Sequence, residues 1–119
     1  MEKVNLNQKF QHVNDHWNPR VIAQLNGQDV RIAKIKGSFV WHHHDHEDEL
    51  FWIHKGCLNL EFRDSTVTLQ EGEMLVVPRG VEHRPVAEEE VELILFEPST
   101  TVNTGTLDNE FTRTDLEEI

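Results

Sequence analysis

From residue 20 to residue 97 the chain reads as short runs in which apolar and polar side chains alternate, each run closed by a turn signal. Alternation with period two is the mark of a half-buried strand. Residues 20–25 and 30–36 flank Asn26-Gly27, a dipeptide that takes up the positive φ angles of a tight hairpin. Further strands are expected at 39–44, 49–54, 57–63, 66–69, 74–77, 82–86 and 91–97. Lys55-Gly56, Asp64-Ser65, Glu71-Gly72 and Arg79-Gly80 punctuate them. Ahead of these, residues 6–13 have the pattern of one or two helical turns, and Trp17-Asn18-Pro19 predicts an extended approach, since the residue before proline is pushed toward β. Short strands at close, regular spacing predict an all-β sandwich or barrel.

Two of the expected strands are apolar on both faces. In a strand, Phe39 and Trp41 lie opposite His42 and His44, and Leu50 and Trp52 lie opposite Glu49, Phe51 and Ile53. The outer face then needs a cover, supplied either by the N-terminal segment or by a second copy of the chain. The stretch from residue 98 to 119 is rich in Thr, Asn and acids with isolated Val102, Leu107, Phe111 and Leu116, and is expected to be partly ordered at best.

Composition narrows the partners. The 119 residues suit one domain, 1–119, with a barrel core at about 20–97 and a tail at 98–119. With 22 acidic against 11 basic residues, the formal charge of -11 opposes binding to nucleic-acid phosphates or anionic lipid. A small molecule or another protein is the expected partner. Cys57 is the only cysteine, which excludes an intrachain disulfide and a cysteine-built zinc cluster and fits a reducing, cytoplasmic setting. The apolar runs are strand-sized, and no targeting or membrane segment is read.

The chemistry is concentrated at residues 42–49, where four histidines and four carboxylates occupy eight positions, with His83 about forty residues on. By parity His42 and His44 share a face and His43 is turned away. If the chain reverses over residues 45–48, Glu49 at the start of the next strand arrives beside the two imidazoles and His83 completes the set. Three nitrogens and one oxygen suit a divalent transition ion (Fe, Mn, Ni, Co or Zn) and leave coordination positions open for water or a substrate. His46 falls in the turn, and Asp45, Glu47 and Asp48 read as a charged turn.

Gly37, Trp41-His42-x-His44-x4-Glu49-x6-Gly56, followed by Gly72-x5-Pro78-x-Gly80-x2-His83, closely resembles the two motifs of the cupin superfamily, over residues 37–87. The Trp-His-x-His start, the Asp48-Glu49-Leu50-Phe51 block and the stretch from Val77 to Pro85 resemble the small single-domain cupins described as mannose-6-phosphate-isomerase-like. The resemblance implies a double-stranded β-helix, or jelly-roll barrel, and assigns metal-ligand roles to His42, His44, Glu49 and His83. Two positions depart from the pattern: four residues rather than five separate Gly37 from His42, and Ala87 stands where asparagine is frequent. Cupins include enzymes, regulators and proteins of unknown role, so the fold does not settle the activity.

Some activities of that superfamily do not suit this chain. It has no tyrosine, which removes the cysteine-tyrosine crosslink of certain thiol dioxygenases and the His and Tyr pair of cupin-type sugar-nucleotide epimerases. Phosphomannose isomerases of this superfamily typically carry Gln where His42 stands. The expected function is therefore a metal-dependent dioxygenase or isomerase acting on a small oxygen-chelating compound, with Glu49 a candidate base. The other reading is a non-enzymatic module that binds or senses a small molecule or metal. The expected cavity lining is Val40, Phe51, Ile53, Leu60, Phe62, Met74 and Val76, and the expected assembly is a homodimer. Arg63, Arg79 and Arg84 are candidate anion contacts, although parity turns Arg84 away from His83.

Overall fold

A computed structural model describes residues 1–119. A short helix, α1 (Leu6–Gln11), precedes seven strands: β1 (Arg20–Leu25), β2 (Gln28–Ser38), β3 (Glu49–Lys55), β4 (Cys57–Phe62), β5 (Thr66–Gln70), β6 (Met74–Val77) and β7 (His83–Pro98). Asn5 caps α1 by accepting a hydrogen bond from the Gln8 amide, at 2.9 Å. All strand pairs are antiparallel, in the order β1-β2-β7-β3-β6, with β4 and β5 joined through β7. The result is the expected all-β jelly-roll barrel with a short N-terminal helix. No helix is long and apolar enough to cross a membrane.

β7 organises the barrel. The two expected strands 82–86 and 91–97 are one continuous 16-residue strand. Its first part pairs with β4, placing His83 opposite Phe62, and its second part runs between β2 and β3. Glu88, Glu89 and Glu90, which fall between the two expected strands, lie along this one strand with their side chains exposed. Ala33, Ile35, Phe51, Ile53, Leu58, Leu60, Val91, Leu93 and Leu95 fill the interior, and burying each side chain stabilises by roughly 1.5–3 kcal/mol before entropy is counted.

Residues 39–44 do not form the expected strand. Only His42 pairs, through an isolated antiparallel bridge to His83. After a register shift between Ile35 and Gly37, with Gly37 at φ +88, β2 pairs with β7 only as far as Ser38, and the residues beyond it are free of strand parity. Phe39 consequently lies on the same side as His42, buried and edge-on to its ring at 5.3 Å, while Trp41 points outward under the Arg63 and Arg84 guanidinium groups.

The outer face is covered in part. Phe10 and Val13 from the helical segment pack on Ile32 and Ile94, while Trp52, Met74 and Val76 beside them remain 38%, 52% and 51% exposed. The tail is far more ordered than its composition implied. Its end pairs with β1, as the Val21 amide donates to Glu117 O and the Ile119 amide to Val21 O. Thr101 and Thr104 are buried, and Gly105 crosses the His43 carbonyl so closely that an added Cβ would sit 2.0 Å from that oxygen.

Candidate metal centre

His42, His44, Glu49 and His83 are brought together inside the barrel mouth. They are 4%, 4%, 3% and 0% exposed, and one nitrogen or oxygen from each lies within 4.8 Å of all the others. β3 begins at Glu49, β7 begins at His83, and the bridge to His83 ties down the segment bearing His42 and His44.

Two of the imidazoles are oriented by the backbone. His42 Nδ1 lies 2.9 Å from Val40 O and His83 Nδ1 lies 2.9 Å from Val81 O. A carbonyl only accepts, so each Nδ1 carries the proton and each Nε2 offers a lone pair. Glu49 Oε1 sits 3.4 Å from both His44 Nε2 and His83 Nε2, too far for well-formed hydrogen bonds. Both ring nitrogens of His44, Glu49 Oε1 and His83 Nε2 are buried without any hydrogen-bond partner. One nitrogen of His44, Glu49 Oε1 and His83 Nε2 converge with one nitrogen of His42, and leaving these buried atoms unmet would cost several kcal/mol that a divalent cation held among them would offset. Donors about 2.1 Å from one ion lie at most ~4.2 Å apart, so the set closes around a metal with movements of about half an ångström. The donor set therefore fits a metal.

The electrostatics prepare the same state. Burial, together with the neighbouring His83, lowers the His42 pKa from 6.5 to about 4, leaving it neutral as a ligand must be. Burial by itself raises Glu49, yet its interaction with Glu97 and then the pull of the His44 and His83 imidazoles beside it outweigh burial and hold its carboxyl well below the usual range. Glu97 moves oppositely. Burial, then the charge of Glu49 and the hydrogen bond with it, raise Glu97 well above its ordinary value against the pull of Arg31.

Sequence reasoning missed the support behind Glu49. Arg31, 2% exposed, donates to Asp29 Oδ2 at 3.0 Å, to Glu97 Oε1 at 2.9 Å and to the carbonyls of Thr101 and Ser99 at 2.8 and 3.1 Å. Arginine and two acids inside β-type runs were the available signal, because charges there are buried only when paired.

The remaining candidates lie outside the centre. His43 is half-buried and 2.9 Å from Asp45, and His46 is exposed. Arg63 pairs with Glu82, Arg79 with Asp48 and Arg84 with Glu61, so none of these guanidinium groups reaches the centre as an anion contact. Cys57 is a free, exposed thiol at the start of β4.

The cavity at the centre is lined differently from expectation. Its walls include Trp17, Phe39, His42, Glu49, Phe51 and Asn103, and its free volume is about 40 Å³. Of the residues expected there only Phe51 lines it. Ile53 and Leu60 are core, Val40 and Phe62 are half-buried away from it, and Met74 and Val76 face outward because they pair with Trp52 and Leu50 on the outer side of β3.

Comparison with known proteins agrees with this architecture. The profile of the family described as "Cupin domain" matches residues 29–97. The crystal structure of a cupin-2 domain containing protein from Shewanella frigidimarina is 48% identical, with a TM-score of 0.79, over 80% of this chain and 93% of that one. Protein NMB1881 from Neisseria meningitidis is 34% identical, with a TM-score of 0.76, over 82% and 99% of the two chains. The uncharacterized protein YdbB of Bacillus subtilis (strain 168) is 39% identical over 64 residues, which span 53% of this chain and 57% of that protein.

Proposed function

The chain belongs to the cupin domain family, and from that premise we propose that it binds one divalent transition ion through His42, His44, Glu49 and His83 and presents it to a small oxygen-donating ligand. The observation that carries this reading is the convergence of four buried donor groups within 4.8 Å, three of which present atoms with no other partner. A bound ion supplies Lewis acidity, and for a redox-active metal also electron transfer, to an oxygen donor reaching the cavity.

The chain's own groups divide the remaining work. Val40 O and Val81 O fix the ring orientation of His42 and His83, and the apolar walls at Phe39 and Phe51 limit the water around the site. Glu49, held ionised, is a poor proton acceptor but a good ligand, which favours its metal role over that of general base. As an enzyme the protein acts as a metal-dependent dioxygenase or isomerase on a small oxygen chelator. The small cavity, with room for roughly three waters, also supports the second reading, a module that binds metal or a small molecule without turnover.

The deciding experiment is elemental analysis of untagged protein beside the His42→Ala/His83→Ala double variant. About one equivalent of Fe, Mn, Ni, Co or Zn in the first and none in the second supports the reading, whereas equal traces in both discard it. The exposed apolar strip Trp52, Met74 and Val76 further supports a homodimer formed through the outer face of β3 and β6.

A further inference from the structure

The cavity beside His42 is walled in part by Trp17, Pro19 and Asn103, which lie outside the family-matched segment. Trp17 stands at φ +60, a backbone conformation that bulky side chains rarely adopt, and two hydrogen bonds hold it there: its amide to Lys34 O and its indole to Lys36 O, both 3.0 Å. Its ring stacks on Phe39 at 4.8 Å. Over this pair lies Phe111 from the tail, 5.1 Å from Phe39 and 6.1 Å from Trp17, edge-on to the indole. Asn103 lines the cavity and latches the tail, donating to Phe111 O at 2.8 Å and accepting from the Arg113 amide at 2.9 Å. Thr104 and Thr112 hydroxyls, 2.7 Å apart, close the same turn.

This rim leaves about 40 Å³. That is room for roughly three waters, which matches an open-chain ligand of a few non-hydrogen atoms, whereas a flat ring would have to displace the rim. We propose that Phe111 and Asn103, carried across the rim by residues 99–119, set the size of ligand admitted to the metal centre, passing small open-chain oxygen chelators and excluding ring-bearing ones. The inference rests on the metal-centre reading. Phe111 is the filter because it packs on Phe39 and Trp17, two walls of the cavity, without lining the cavity itself; Asn103 is its latch because both ends of its amide are spent on the tail.

The test uses the full chain loaded with Co²⁺, whose visible spectrum reports oxygen chelators joining the ion. Two probes are titrated: acetohydroxamate, an open-chain chelator, and tropolone, which presents a comparable oxygen pair on a flat ring. Wild type takes acetohydroxamate readily and tropolone weakly. Phe111→Ala and Asn103→Ala tighten tropolone by at least about tenfold, the scale of a steric change in an apolar pocket, and leave acetohydroxamate unchanged. Phe111→Leu, which refills most of the volume, retains most of the exclusion. Equal tropolone affinity in wild type and both alanine variants overturns the inference, as does an equal gain for both probes, which would mean a loosened centre instead of a filter. If wild type takes up no Co²⁺ before any probe is added, the metal-centre reading itself fails and this inference with it.

Discussion

His42 and His83 face each other across an isolated antiparallel bridge. The amide of each donates to the carbonyl of the other at 3.0 and 2.9 Å, and their rings stand 4.3 Å apart. Forty-one positions of sequence separation are thus reduced to one backbone pair, and the centre inherits the rigidity of β7.

Metal should therefore stabilise the folded chain as a whole. Added at about 100 times its dissociation constant, a fitting ion contributes ~2.7 kcal/mol. Thermal unfolding with and without metal is expected to show a higher Tm for wild type and no change for His42→Ala/His83→Ala. A metal-induced rise of equal size in the double variant would remove these residues as ligands.

Acid should weaken the metal-free protein through His42. Its folded pKa of about 4 lies below the ordinary value of 6.5, so the unfolded chain binds the proton first. The stability associated with neutral His42 is complete above pH 6.5 and is lost as pH falls toward 4, by about 3 kcal/mol across that window. Glu49, also depressed, adds a loss in the same direction at lower pH, whereas the raised Glu97 contributes stability that is full below its ordinary value and is lost as pH rises. Urea unfolding between pH 4 and pH 7 should show the His42 loss, and His42→Ala should flatten it.

Arg31→Met should destabilise the chain by about 3–5 kcal/mol, since it leaves Asp29 buried without its cation and removes the donor to Glu97 Oε1 and to the Thr101 and Ser99 carbonyls. Arg63→Met, which breaks an exposed pair with Glu82, should cost under about 1 kcal/mol. Urea midpoints of the two variants provide the comparison, and equal midpoints would contradict the burial difference.

Trp52→Glu should leave a monomer where wild type is a dimer, because it places a charge in the exposed apolar strip. Light scattering coupled to size exclusion reads this directly. A monomeric wild type would refute the proposed assembly, and a dimeric variant would move the interface elsewhere.

Much of the centre was legible along the chain because its residues obey local rules. His42 and His44 are two apart, Glu49 opens a strand, and glycine and proline punctuation marks the approach to His83, so strand alternation and turn chemistry were enough to select the four. His42 and His44 do join one cluster, but not through strand parity, since residues 39–44 are not a strand and the bridge to His83 holds His42 instead. Period-two patterning also placed most strands, yet it put Met74 and Val76 in the cavity because alternation fixes which residues share a face and not which face turns inward.

What only the tertiary structure decided depends on contacts distant in sequence. The pairing of Arg31 with Glu97 spans 66 positions, and the seating of residues 99–119 over Phe39 and Trp17 rests on Phe111 and Asn103, set among polar residues that resemble a loose tail. Local propensity carries no record of such pairings. Their free energy arises when the barrel closes, buries the charges and gives the aromatic rings a surface to pack against.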